Sequence, residues 1–285
     1  MSRIGIAVHR FRPDAIDVVR SIAEWATQHS MSVIVEEADA PTIASSLVQV
    51  GDVGEVDVLV AVGGDGTMLR AVRSLNGRVV PVIGVNLGLL GYLTGVEQES
   101  LIDALDTWRT GTLGTDFHYD DRMLLEIAMW SSGARLSNHL ALNEVVIEKR
   151  EAGHTVRLGV DIDKVPFTTY AADGLILATP TGSTAYSMSA RGPILSPRMN
   201  AMLMTPVSPH MLFDRSIVLD SSESVRIEIL GHRHVNVATD GDLLHTLKPG
   251  DVVEVRAAEE VARFMRFEEQ RFHQILKSKF GLSDR

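Results

Sequence analysis

The chain changes its hydrophobic rhythm near its middle. "RIGIAV" (Arg3–Val8) is an apolar run of strand length; Ala15, Ile16, Val18, Val19, Ile22, Trp25 and Ala26 then recur at helical spacing, and "SVIVE" (Ser32–Glu36) returns to strand. The alternation predicts a helix near 41–50, a strand over 56–62, a helix carrying Met68, Leu69, Val72 and Leu75, and the strand "VVPVIGV" (Val79–Val85). Apolar strands that alternate with helices predict a mostly parallel sheet covered on both faces. After about Gly114 the runs shorten. "RMLLEIAMW", "NEVVIEK", "TVRLGVDI", "GLILAT", "SIVLD", "VRIEIL", "HVNVAT" and "DVVEVRAA" are punctuated by Gly, Asp, Asn and Pro, which predicts an all-β domain with one helix around Ser183–Ser189. The stretch Ala257–Phe280 predicts a terminal helix whose apolar face (Val261, Phe264, Met265, Phe272, Ile275, Leu276) packs back on the first domain. The fold class is therefore α/β plus all-β, with domains over 1–114, completed by 257–285, and over 115–256.

Composition narrows the functional classes. A length of 285 residues with 45% hydrophobic content can fill two cores. No apolar stretch approaches the roughly 18 residues of a membrane span, and "MSRIGIAVHR" lacks a signal-peptide pattern, so a cytoplasmic location is expected. The absence of cysteine removes disulfides, thiolate chemistry and Cys-ligated zinc. A formal charge of −10 disfavours nucleic acid and anionic membrane as partners. Any phosphate must be held locally.

The stretch "AVGGDGTMLRA" (Ala61–Ala71) places such a site at the carboxyl end of a predicted strand, as does "NLGLLGY" (Asn86–Tyr92); ligands bind there in open parallel sheets. Glycines beside a helix start expose backbone N–H groups that cradle phosphate without net positive charge. A carboxylate in that cradle repels phosphate unless it takes a proton or holds a metal, so Asp65 is a candidate general base in phosphoryl transfer; the alternative is an ordinary turn in which Asp65 caps the helix. No "GK[ST]" follows, so this is not a Walker loop. In "ADGLILATPTGSTAYSMSARGP" (Ala172–Pro193), Thr179, Thr181, Ser183 and Thr184 gather hydroxyls around glycine, a neutral surface suited to a purine or ribose. "NE" (Asn143, Glu144) opens a strand, where neighbouring side chains point to opposite faces unless the backbone turns.

"VGGDGTMLRA", "NLGLLGYL", "LNEVVIEK", "ADGLILATPTGSTAYSMSARGP" and "TPVSPH" (Thr205–His210), in this order, resemble the bacterial NAD kinase family, from Val56 onward. The resemblance implies a Rossmann-like parallel-sheet domain completed by the carboxyl-terminal helix, an all-β domain for NAD binding and oligomerisation, and a homodimer or homotetramer. It implies transfer of the γ-phosphate of ATP, or of another phosphoryl donor, to the 2′-hydroxyl of the adenosine ribose of NAD, giving NADP, with a divalent metal, Mg²⁺, carried on the triphosphate. Asp65 matches the catalytic aspartate. Gly63, Gly64, Gly66 and Thr67 would line the phosphates, with Arg70 as charge partner. Asn143 and Glu144 match the pair on the dinucleotide ribose, Tyr92 an aromatic ring beside the adenine, and Thr181, Thr184, Ala185 and Tyr186 the adenine-side loop, with Ser189 close by in sequence. Asp173 matches an aspartate on the nicotinamide side, and Asp240 in "ATDGD" is a weaker match. Arg191 stands where the family usually has glycine, and Tyr92 replaces a more frequent phenylalanine. "GGDG" alone is shared with diacylglycerol-type lipid kinases, the alternative activity, and a non-catalytic dinucleotide sensor is expected to lack Asp65.

Overall fold

The computed structural model describes residues 2–43, 46–88, 91–268 and 272–282. It divides into two compact units, 1–121 with 262–285 and 122–261.

The first unit begins with β1 (Arg3–Val8), α1 (Pro13–Gln28), β2 (Ser32–Val35), α2 (Ala40–Ile43), β3 (Gln49–Val50), β4 (Val58–Gly63), α3 (Asp65–Leu75), β5 (Val82–Asn86), β6 (Val96–Glu97) and α4 (Leu101–Thr110). The strands lie in the order β5-β4-β1-β2-β3 and pair in parallel, with Ile4 opposite Val58 and Val62 opposite Val85. Ile4, Ile6, Val8, Val58, Val60, Val62, Ile83 and Val85 pack in one cluster with Val18, Val19 and Ile22 of α1 and Leu101 and Leu105 of α4. The intervening positions are buried too. Met68 of α3 approaches Gly84 so closely that a Cβ there would lie 2.6 Å from the Met68 sulfur. Strands covered on both faces read as unbroken apolar runs, and for that reason their sequences were strand-like without alternation.

In the second unit, β7 (His118–Ser131) carries the chain in; β8 (Ala134–Ala141), β9 (Glu144–Lys149), β10 (Val156–Ile162), β11 (Val165–Ala172), β12 (Gly174–Ala178), α5 (Tyr186–Ser189), β13 (Ala201–Val207), β14 (Ile217–Asp220), β15 (Val225–Leu230), β16 (Val235–Thr239) and β17 (Asp242–Leu247) follow, and β18 (Val252–Arg266) leads out to α6 (Phe272–Phe280). One sheet runs β14-β13-β12-β9-β16-β17, antiparallel throughout; β11, β10, β15 and the start of β18 form another antiparallel set. Alternate residues meet in a shared core: Val145 and Ile147, Leu175 and Leu177, Met202 and Met204, Ile227 and Ile229. The opposite side chains of β9, β12 and β13 (Val146, Ile176, Ala178, Leu203) pack with Leu195, which seats the loop after β12 on its sheet.

Three expected elements differ. The helix near 41–50 is one turn, Ala40–Ile43, followed by β3, with residues 44 and 45 outside the described set; the β-branched Val48 and Val50 sit where Gly51 N–H bonds Val35 of β2, and pairing prevails over helix. The helix around Ser183–Ser189 is a 3₁₀ turn, Thr181–Thr184, and the single turn α5, because Ser183 and Thr184 hydroxyls bond back to carbonyls of their own loop. The terminal helix begins only at Phe272. Residues 257–266 continue β18, whose Phe264 pairs with Val82 of β5 while Ala262, Phe264 and Met265 are all buried. A strand buried on both faces shows no period of two, and its Glu, Ala, Met and Arg are strong helix formers, so the local pattern favoured helix until pairing intervened.

The backbone also accounts for a peculiarity of the loop. Arg191 follows α5 with φ 68°, the left-handed conformation in which glycine commonly ends a helix, and its side chain is exposed. An L-residue there is strained by roughly 1–2 kcal/mol, partly offset by glycine's greater unfolded-state freedom. Arg191→Gly is therefore expected to stabilise the chain by up to about 1 kcal/mol in urea unfolding; a destabilised variant would mean that the arginine side chain holds the loop by contacts of its own.

Candidate functional site

The first unit supplies Gly63, Gly64, Asp65, Gly66, Thr67, Arg70 and Tyr92. Gly63 ends β4, and a Cβ on it would fall 2.2 Å from the Thr67 hydroxyl, so the tight passage from strand to helix requires glycine. Gly64 and Gly66 have no such need. A Cβ at either would meet nothing within 4 Å, so their bareness leaves open space at the first turn of α3, where the amino end of the helix dipole favours an anion.

Asp65 is not the cap of that helix. The capping position is Gly64, without any side-chain bond, and Asp65 is the first helical residue. Its carboxylate accepts the backbone N–H of Tyr92 at 3.0 Å (Oδ2) and of Leu93 at 2.9 Å (Oδ1). Gly91 makes the approach possible, since a Cβ there would stand 2.1 Å from Oδ1. The loop is held from its other side by the buried Arg266, whose Nη1 donates to Leu93 O at 2.8 Å while Nε pairs with Asp120 at 3.2 Å. Each carboxylate oxygen keeps a second lone pair, so Asp65 can still accept a proton from a hydroxyl.

A cleft of about 460 Å³ opens at these glycines, lined by Gly63, Gly64, Gly66, Thr67 and Arg70, by the turn after β1 and by Asn86–Gly88. Leu89 and Leu90 of "NLGLLGY" lie outside the described residues. Asn86 closes its turn by donating Nδ2 to Gly88 O at 2.8 Å. Arg70 lines the cleft, with its Nη1 bonded to both oxygens of Asp39 (3.0 and 2.7 Å) and Nη2 to Val8 O. The half-buried Tyr92 ring lies 6.5 Å from that of Phe272, with Lys279 Nζ 4.9 Å from its centroid; burial, then the Asp65 charge, raises its phenol pKa.

The second unit supplies Asn143, Glu144, Asp173, Thr181, Thr184, Ala185, Tyr186 and Ser189. The backbone does turn at "NE": β9 begins at Glu144, and Asn143 lies in the bend before it. Asp240, in the left-handed conformation between β16 and β17, makes that bend. Its carboxylate accepts the N–H groups of Leu142 (2.8 Å), Asn143 (2.8 Å) and Glu144 (3.1 Å). The "TPTGSTAY" loop docks on the same backbone. Thr179 donates its hydroxyl to Leu142 O (2.6 Å) and its N–H to Asn143 O (2.8 Å), and a Cβ on Gly182 would lie 2.1 Å from Asn143 O. Thr181 is buried and accepts from the buried Arg122 at 3.3 Å; Tyr186 and Ser189 are exposed, and Thr184 and Ala185 are half-buried. Asp173 pairs with Lys149 Nζ at 2.7 Å.

Glu144 is the most perturbed group here. It is buried, its Oε2 has no hydrogen-bond partner among the described residues, and desolvation followed by the Asp240 charge pushes its pKa up to about 7 against a smaller opposing effect of the Tyr186 amide. A buried carboxyl with an unused oxygen, beside a loop of hydroxyls and glycine, is a ready partner for a ligand hydroxyl.

Sequence reasoning missed Asp39, Arg122, Lys149 and Arg266, and underrated Asp240. Lys149 closes the quoted "LNEVVIEK", and strand register alone would have offered it to a neighbour. Asp39 and Arg266 carried no local signal.

Two family models match, the ATP-NAD kinase N-terminal domain over residues 4–112 and the ATP-NAD kinase C-terminal domain over residues 142–267. Among curated relatives, an NAD kinase of Syntrophotalea carbinolica is 37% identical, with 100% of both chains covered, and one of Heliobacterium modesticaldum is 37% identical with 98% of each covered. Among solved structures, a yeast NADH kinase in complex with NADH superposes with a TM-score of 0.90 at 26% identity, covering 100% of this chain and 89% of that one. An NAD kinase from Archaeoglobus fulgidus in complex with ATP superposes at 0.74 and 21% identity, covering 99% and 100%, and shares the fold.

The raised pKa of Glu144 has a sign that can be measured. The folded chain holds this proton up to about pH 7, whereas the ordinary value is 4.5. Its contribution to stability is thus complete below the lower value and lost as pH rises through the higher one, by on the order of 3 kcal/mol. Glu144→Gln, neutral at every pH, is expected to match the parent near pH 4.5 and to have the higher thermal midpoint at pH 8. Parallel midpoint curves from pH 4.5 to 8 would contradict the burial of a titrating Glu144.

Proposed function

The chain belongs to the NAD kinase family and phosphorylates NAD; we propose that it moves the γ-phosphate of ATP to the 2′-hydroxyl of the adenosine ribose, with Asp65 as the general base. The observation that carries this reading is the pinned Asp65 carboxylate, which stands at the edge of an open glycine cradle yet is not used to cap its helix. In this reaction the 2′-oxygen forms a bond to the γ-phosphorus while the bond from that phosphorus to the β,γ-bridging oxygen breaks. ADP leaves with the electron pair, and the hydroxyl proton passes to Asp65. The amides of Tyr92 and Leu93 keep the carboxylate turned toward the reacting hydroxyl. Gly64 and Gly66 give the phosphates room at the amino end of α3, whose N–H groups take up charge on the transferring group.

Glu144 and Asn143 are assigned to the dinucleotide. A protonated or hydrogen-bonded Glu144 engages sugar hydroxyls without adding charge beside a pyrophosphate, which suits its raised pKa. Tyr186, Thr184, Ala185 and Ser189 are assigned to the adenine side, Tyr92 to the ring face, and Asp173, held by Lys149, to the nicotinamide side. Among the described residues no three His, Asp or Glu side chains gather to hold an ion. A divalent ion carried on the triphosphate oxygens belongs to the same proposal; the Asp65 carboxylate, fixed at the loop, would be the group on this chain to hold it, and when bound the ion would neutralise phosphate charge. A homodimer or homotetramer belongs to the same reading and rests on the resemblance alone.

Purified protein incubated with NAD, Mg²⁺ and ATP is expected to yield NADP, and Asp65→Asn to lower kcat by ~10²–10⁴-fold while NAD binding by calorimetry stays within a few fold. A variant with near-parental turnover would refute Asp65 as the base. Phosphorylated lipid without NADP would refute the substrate assignment.

A further inference from the structure

The cleft beside the glycine cradle has a second wall that the transfer chemistry does not use. It is the turn His9–Arg12, which leaves β1 and enters α1 at Pro13. Beneath it lies Asp39, completely buried, and its carboxylate accepts the Val8 N–H (3.2 Å), Arg10 Nε (2.8 Å) and Arg70 Nη1 (2.7 Å). One carboxylate thus orders two guanidinium groups and leaves the trio with net positive charge. Arg12 adds a third. Its fork pairs with Asp14, and its Nη1 reaches Gly88 on the facing wall, where a Cβ would sit 3.1 Å away. In a chain of formal charge −10, three arginines around one cleft form a local site for an oligophosphate.

Phe11 stands between Arg10 and Arg12 at the rim, 88% exposed. Among the described residues its ring meets one other ring, the edge of His9 at 6.4 Å and 79°, and the phenyl group stands open to solvent. Packing does not explain a bare phenyl ring on a polyphosphate cleft; a flat apolar ligand group does.

We propose that His9–Arg12 is the donor-recognition element: Arg10 and Arg12 take the phosphate chain, Phe11 stacks on the purine base of a nucleoside triphosphate, and Asp39 positions Arg10 and Arg70. The proposal rests on the reading of the cradle as the phosphoryl site and extends it to the class of donor. A phosphate chain without a base gains the arginines but not Phe11, and this difference separates the two roles.

The test uses ATP and inorganic tripolyphosphate as probes, the second as a competitor of the first. Phe11→Ala is expected to raise the KM for ATP ~5- to 100-fold, with kcat and the KM for NAD unchanged and the Ki of tripolyphosphate within twofold of the parent. Arg10→Gln and Arg12→Gln are expected to weaken both probes. Phe11→Trp supplies a readout without turnover: its fluorescence should be quenched by ATP and not by tripolyphosphate. An unchanged KM for ATP in Phe11→Ala, or equal quenching by both probes, overturns the stacking role; arginine variants that leave both constants unaltered overturn the phosphate role. If the parent chain makes no NADP from ATP, the proposed activity fails separately, because the fluorescence titration still reports whether ATP binds at Phe11.

Discussion

Everything at the cradle depends on where one carboxylate is held. Asp65 begins a helix whose amino end attracts anions, so an untethered side chain would turn onto its own backbone N–H groups and compete with phosphate. Instead it is drawn off by two amides of the Tyr92–Leu93 loop, which stays in place because Arg266 grips the Leu93 carbonyl from the last strand. The order of dependence runs from a buried arginine at one end of the chain, through a loop, to a carboxylate in its first hundred residues. Gly91 closes the arrangement by having no side chain to obstruct it.

The same device recurs. Asp240 gathers the amides of Leu142, Asn143 and Glu144 and so makes the bend that sequence periodicity could only mark as an exception to strand alternation. Asp39 takes the Val8 amide and two arginines beneath the β1 turn. Backbone amides are rigid donors, and a carboxylate that accepts several orders a turn at little entropic cost from its short side chain. Removing such a carboxylate strands two or three donors at once, a penalty of ~1–3 kcal/mol for each one that stays buried.

The parallel sheet was legible because its strands are apolar and its helices amphipathic: Arg3–Val8 was read at its observed bounds, and the helix after "GGDG" at its observed face of Met68, Val72 and Leu75. The glycine loops were legible because glycine next to a strand end has few other uses. What escaped was long-range. Asp39 sits in "EEADA", which reads as a solvated acidic stretch until folding buries it against Arg10 and Arg70, and Arg266 sits in a segment whose helix-forming residues concealed a strand. Neither local propensity nor spacing encodes a partner dozens or hundreds of residues away.

The central claim is that the position of the Asp65 carboxylate, set by the loop at residues 91–93, determines turnover. Gly91→Ala tests it most directly, since the new methyl would stand 2.1 Å from Asp65 Oδ1 and must displace the carboxylate while leaving its chemistry intact. Steady-state rates of NADP formation, measured with calorimetric NAD binding, are predicted to show kcat lowered by at least ~10-fold with NAD affinity retained, since a misplacement of about 1 Å is enough to impair catalysis. A Gly91→Ala protein that binds NAD and turns over at the parental rate would contradict the account.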